Sequence, residues 1–187
     1  MQIHTTGIPG CFEIFPTIAK DDRGSFVKTF HQAVFTEHGL TTQFAEEYYT
    51  CSRKRVMRGL HFQRPPMDHI KLVYCVSGRV LDAVVDLRIG SPSYGRPFTF
   101  ELSADRANML YLPAGLAHGF YVLSENAVLM YKVTTVYAPQ HDSGILWNSV
   151  GIPWPDSAPI ISPRDLGFTA FKDFTSPFTF EGKGSIA

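Results

Sequence analysis

The chain lacks a cysteine framework. Its three cysteines, Cys11, Cys51 and Cys75, are odd in number and widely spaced. They offer no disulfide scaffold and no CxxC metal pair, so reduced thiols are the expectation. Excess charge of one sign is also missing, because 17 Lys and Arg balance 17 Asp and Glu. No long-range field favours nucleic acid or a membrane surface, and any cationic site must be local. No apolar run approaches the ~18 residues of a membrane span. The opening MQIHTT has neither the basic nor the apolar segment of a secretory leader, which leads to the expectation of a cytoplasmic protein. Repeats, linkers and low-complexity segments are absent. What is present is 187 residues, 44% of them hydrophobic. That suits one domain over 1–187 with a sizeable core. The stretch from about 176 to 187 reads as a flexible tail.

The chain reads mostly as short strands separated by Gly, Pro and Ser. Residues 72–76, a Ser77-Gly78 turn and residues 80–87 form an expected hairpin. Further strands are expected over 98–102, 109–112, 120–123 and 128–137. This spacing favours an all-β sandwich or barrel over βαβ units. Helices are expected only near the ends, one over 31–38 and a short one starting near Pro163.

Arg58-Gly59-Leu60-His61-Phe62-Gln63, followed by Lys71, is the most informative stretch. An imidazole and two cations inside β-structure cost free energy unless an anion meets them. The pattern points to an anionic ligand with proton transfer at its centre. Pro113-Ala114-Gly115-Leu116-Ala117-His118 follows a strand and resembles the second motif of cupins, small jelly-roll barrels in which such a turn aims a histidine into the barrel mouth. Metal cupins carry a His-x-His pair upstream. Here Phe62 points away from His61, and Gln63 is a poor zinc or iron ligand, so only His61, His69 and His118 are on offer. Tyr131 reads either as a barrel filler or as a phenolic proton donor across the cavity from a base. Asp165 reads either as a helix-end carboxylate or as the group that orients His61. Arg23, in an Asp-Arg-Gly turn, could fork a phosphate.

Together these segments resemble the dTDP-4-dehydrorhamnose 3,5-epimerase family. The matching pieces are Asp22-Arg23-Gly24, Arg58 to Gln63, Lys71-Leu72-Val73, and Val85-Asp86-Leu87-Arg88 with Gly90-Ser91-Pro92. They continue through Leu112-Pro113, His118-Gly119-Phe120, Tyr131-Lys132, Gly144 to Asn148, and Ile161-Ser162 to Asp165. Each piece is weak alone, but the ordered set is specific. The resemblance implies a jelly-roll (cupin) barrel with short flanking helices, a homodimer, and a metal-independent isomerase acting on a nucleotide-diphosphate 4-keto-6-deoxy sugar. It makes His61 the general base, Asp165 its orienting partner, Lys71 the cation on the C4 oxygen of the enolate, and Tyr131 the acid on the opposite face. Arg23, Phe26, Arg58, His118 and Tyr137 match positions that bind sugar, diphosphate or base. No cofactor is implied, because the C4 ketone is already the electron sink.

The binding shell departs from the family pattern. Lys28 stands where a Glu is common, Glu46 and Tyr48 fall at amide positions, and His69 stands where Gln is common. All three of Lys28, Glu46 and Tyr48 are taken as substrate-shell residues, with Lys28 and Glu46 a candidate compensating ion pair. The expected activity is inversion at C3, C5 or both. On residues alone, a metal-dependent cupin and a non-catalytic nucleotide-sugar binder stay open as alternatives.

Overall fold

Period-two alternation decides which side chains of this chain enter its interior. A computed structural model describes residues 1–182. Among these, the strands are β1 (Gln2–Thr5), β2 (Phe12–Phe15), β3 (Ile18–Asp21), β4 (Gly24–Val27), β5 (Glu46–Arg53), β6 (Met57–Gln63) and β7 (Lys71–Ser77). Then come β8 (Arg79–Asp86), β9 (Pro97–Ser103), β10 (Met109–Leu112), β11 (Leu116–Val122), β12 (Asn126–Val133) and β13 (Asp142–Gly144). Helix α1 (Gln32–Glu37) precedes β5 and helix α2 (Pro163–Leu166) follows β13. One sheet has the order β1-β2-β10-β7-β12-β5, and the facing sheet has the order β13-β6-β11-β8-β9. Every pairing in them is antiparallel. The result is a cupin-type jelly roll with short flanking helices, the expected fold class.

Residues from both sheets fill the space between them: Val73, Cys75, Val84, Leu110, Phe120, Leu129 and Tyr131 all belong to one buried cluster. The intervening residues face outward. Leu72, Tyr74 and Met109 pack under Phe35 of α1. Leu60, Phe62, Ala83 and Val85 are covered by the C-terminal segment through Ile152 and Phe178. Lys71, Asp82, His118 and Tyr131 therefore share the inward parity of their apolar strand neighbours. Four polar side chains enter the interior on otherwise hydrophobic stripes.

Several expectations change. Residues 72–76 and 80–87 do not form a hairpin, because β7 and β8 lie in opposite sheets. The Ser77-Gly78 corner carries the chain across. Gly78 has φ +78°, and a Cβ there would sit 2.0 Å from the Asn126 carbonyl oxygen. Only glycine fits so close a crossing. His118 lies within strand β11, not on a turn. The strand expected over 128–137 ends at Val133, and α2 is a single turn. The expected tail is docked over its described part. Ile89 N–H donates to the Phe178 carbonyl at 2.9 Å, and Phe180 N–H donates back to Ile89 at 2.9 Å. Phe178 is buried. Residues 183–187 of the expected tail lie outside the described residues. No helix among the described residues is long and apolar enough to cross a membrane.

Candidate active site

The catalytic candidates reach one cavity because inward positions of different strands converge there. It measures about 790 Å³ and is lined by Arg58 and His61 from β6, Lys71 from β7, His118 from β11, and Tyr48 and Tyr131 from β5 and β12. Glu46, His69, Tyr137, Asp142 and Arg164 complete much of the wall. His61 and Tyr131 belong to opposite sheets and so approach the cavity from opposite sides.

His61 and Asp165, distant in sequence, meet here. Asp165 Oδ1 lies 2.9 Å from His61 Nε2, with the His61 side chain 27% exposed and that of Asp165 only 4%. The carboxylate is thus directly against the ring nitrogen. The carboxylate is fixed from two sides. Ser162 Oγ caps α2 by accepting from the Asp165 N–H at 3.1 Å. Asp165 Oδ2 accepts the Gly59 N–H at 3.1 Å. Gly59 is demanded by space: its φ is +140°, and a Cβ would meet Gly119 Cα at 2.5 Å. Burial opposes ionisation of Asp165, but His61, the Gly59 N–H and Ser162 outweigh it and hold the carboxyl below its ordinary range. Burial lowers the His61 pKa below its usual value. Asp165 pulls the other way, while Lys71 and Arg164 add to the lowering. The imidazole is thus neutral near pH 7 and ready to accept a proton.

Lys71 donates to the His61 carbonyl oxygen at 3.1 Å. Its burial lowers its pKa to about 8, although Asp142 and Asp82 support the charge. Arg58 Nε donates to Ser52 Oγ at 3.0 Å, and among the described residues it has no carboxylate partner, which leaves its charge to an anionic ligand. Burial pushes the Tyr131 phenol well above its usual range and keeps it protonated as an acid must be.

His118 is tied differently from expectation. Its Nε2 contacts Asp82 Oδ2 at 2.7 Å, in a pair sealed inside the barrel. Its Nε2 is therefore already engaged within the protein. Gln63 brackets the loop after β6: its Oε1 accepts the Ala138 N–H at 2.6 Å, and its Nε2 donates to the Met67 carbonyl at 2.8 Å. That role differs from metal ligation. Among the described residues, no group of three or more His, Cys, Asp or Glu is arranged to hold a metal ion.

Three expected binding residues stay away from this cavity. Arg23 and Phe26 sit on the two-stranded β3–β4 hairpin, with the Arg23 side chain 91% exposed in an ion pair with Asp21 and Phe26 65% exposed. Lys28 follows that hairpin and lines a shallow surface groove beside α1 instead. The expected Lys28–Glu46 ion pair is replaced by a Glu47–Lys132 pair at 2.7 Å. Conversely, Asp82, Asp142 and Arg164 join the site although no motif in the sequence marks them. Asp142 and Arg164 line the cavity and pair at 2.6 Å. A carboxylate on an otherwise apolar strand, as Asp82 is in VLDAVVDL, was the available signal.

Comparison with known proteins decides the affiliation. The sequence profile of the dTDP-4-dehydrorhamnose 3,5-epimerase family matches residues 5–173. The chain belongs to this family. It is 42% identical over 170 residues to the dTDP-4-dehydrorhamnose 3,5-epimerase of Escherichia coli (strain K12), covering 88% of this chain and 91% of that one. It is 38% identical over 168 residues to the dTDP-4-dehydrorhamnose 3-epimerase of Streptomyces niveus, covering 88% of this chain and 81% of that one. The crystal structure of a dTDP-6-deoxy-D-glucose-3,5-epimerase from Legionella pneumophila, in complex with dTDP-4-keto-L-rhamnose, superposes with a TM-score of 0.90. That structure is 33% identical, and the match covers 96% of this chain and 98% of that one. The family thus includes enzymes named for two inverted centres and for one.

Proposed function

We propose that this epimerase inverts C3, C5 or both in a nucleotide-diphosphate 4-keto-6-deoxy sugar, with dTDP-4-dehydro-6-deoxyglucose or a close relative as substrate. The observation that carries this reading is the placement of His61–Asp165 and Tyr131 on opposite sides of one cavity that also holds a buried ammonium, Lys71. Asp165 engages Nε2 of His61, which leaves Nδ1 to take a proton α to the C4 ketone. Electron density moves onto the C4 oxygen, where Lys71 stabilises the enolate. Tyr131 then donates its proton to the same carbon from the other side, and the centre is inverted. The ketone accepts and returns the electron pair, so the chemistry calls for no redox cofactor. Arg58 at the wall supplies charge for the diphosphate, and exposed Tyr137 offers a face for the base.

The hairpin residues supply an argument for dimerisation. Arg23, Phe26 and Lys28 lie outside their own chain's cavity, and an exposed arginine beside an exposed phenylalanine suits a phosphate and an aromatic base. In the proposed homodimer, the β3–β4 hairpin of one protomer completes the binding shell of its partner. Sedimentation tests this directly, since a monomer with full activity would remove the need for the exchange. A cytoplasmic location fits a nucleotide-sugar substrate.

Solvent exchange tests the function. The protein is incubated in D₂O with dTDP-, GDP- or CDP-linked 4-keto-6-deoxy sugars, and label is located by NMR. Label at C3, C5 or both identifies the inverted centres. No incorporation with any of them overturns the proposal.

A further inference from the structure

We propose that Tyr48 is a positioning residue for the acid: its ring holds the Tyr131 phenol in the single orientation from which the enolate is reprotonated. This rests on the assignment of Tyr131 as the acid. Tyr48 and Tyr131 are direct cross-strand partners on β5 and β12. Their rings stack with centroids 4.9 Å apart and planes 13° from parallel. His118 meets the Tyr131 ring edge-on, at 6.1 Å and 71°. His118 is itself anchored to Asp82 at 2.7 Å. The acid therefore lies against an aromatic plate and a fixed imidazole.

The plate is not a core filler. β5 is the edge strand of its sheet, and Tyr48 is 42% exposed while lining the cavity. A large aromatic ring in such a place is used for what it touches, and it touches Tyr131. An amide, which the family resemblance puts at this position, can hydrogen-bond but cannot stack in this way. Tyr48 does not compete as a base: burial pushes its phenol up to about 12, and Glu46 and Asp142 contribute to the rise. Without the plate, the Tyr131 ring gains freedom to tilt into the vacated space. Proton delivery to carbon depends steeply on alignment, and a misplacement of about 1 Å can cost on the order of 100-fold. Deprotonation by His61, from the other sheet, does not depend on that ring.

Two measurements separate these steps. Deuterium wash-in at the first reacting carbon reads deprotonation by His61, and product analysis reads net inversion through Tyr131. Tyr48→Phe keeps the plate and should keep the ratio of inversion to wash-in of the unaltered protein. Tyr48→Leu removes the ring and should lower the ratio of inversion to wash-in about 10–100-fold. Tyr48→Asn should behave as Tyr48→Leu does, and it covers the case in which leucine disturbs folding. Equal loss of wash-in and inversion in the Leu and Asn variants overturns the positioning role. So does a Phe variant as poor as the Leu variant, which would make the hydroxyl a ligand contact. An absence of wash-in by the unaltered protein is a different failure, because it removes the epimerase reading itself.

Discussion

Two histidine–aspartate pairs sit side by side in this barrel, and they are built for different work. His61 and His118 are direct cross-strand partners on β6 and β11. Asp82 reaches His118 from the neighbouring strand β8, and both side chains are sealed in, at 0% and 4% exposure. Asp165 reaches His61 from α2, outside the sheet, and the imidazole it serves remains partly open to the cavity. The sealed pair meets at 2.7 Å and the open pair at 2.9 Å. A base must gain and lose a proton and meet its substrate, so it needs access. A wall that fixes an acid does not. The same two residue types become base or strut according to what covers them.

The largest test of that contrast is removal of each histidine. His61→Ala should bring deuterium exchange at every reacting carbon to background, since a positioned proton-transfer group contributes about 10²–10⁴-fold. His118→Asn should leave exchange measurable while net inversion falls, because it removes the imidazole that lies against Tyr131. Equal abolition by both variants would erase the distinction. Tyr131→Phe comes next: net epimerisation should fall by about 10²-fold or more, with exchange at the first carbon much less affected. Equal loss of both would contradict the acid assignment.

Asp165→Asn should be milder than His61→Ala in kcat/KM, because it leaves the base in place and removes only the charge that orients it. It should also move the acid limb of the pH profile. The proposed mechanism requires neutral His61, so activity should rise as pH rises through the His61 pKa. That pKa lies below 6.5 because of burial, and Asp165 opposes the lowering. Removing the carboxylate charge therefore shifts the acid limb to still lower pH. The alkaline limb has the opposite sign. Lys71 must be charged, and its pKa is lowered to about 8 by burial, so kcat/KM should decline as pH rises through that value. Lys71→Arg should remove this decline from the same range.

The inner face of the barrel was legible because alternation and motif order are local properties. Lys71 two residues before Val73, and Tyr131 two after Leu129, declare the parity of their strands. The jelly roll and the meeting of His61 with Lys71 and Tyr131 follow from that pattern and the family resemblance. What pairs with what across the barrel was less legible. The Ser77-Gly78 corner has hairpin chemistry, yet the approach of the Asn126 backbone sends the strands into separate sheets. Asp165 had two readings until the α2 cap fixed it beside His61. Asp82 gave a weak sign, since an aspartate in an apolar strand demands a partner that sequence does not name. Arg23 and Phe26 show a further limit, because residues assigned to a site can stand apart from it within one chain.

Asp82 offers the smallest effect and the finest test of the sealed pair. Burial raises its pKa, while His118 and Lys71 pull it down without cancelling the rise. The sign follows from linkage. With a folded-state pKa above the ordinary 3.8, the folded protein holds this proton more tightly than the unfolded chain does. Stability from this group is full below 3.8 and is lost as pH rises through the folded value. Asp82→Asn cannot ionise, and its side-chain oxygen can still accept from His118 Nε2. Its stability relative to the unaltered protein should therefore improve as pH rises from below 3.8 toward neutrality, as measured by urea unfolding at a series of pH values. Asp82→Ala leaves His118 without its acceptor and should be less stable than the Asn variant by about 1–3 kcal/mol. If Asp82→Asn instead lost stability relative to the unaltered protein as pH rose, the carboxylate would be a net stabilising ion. The sealed pair would then have to be read as charged in the folded state.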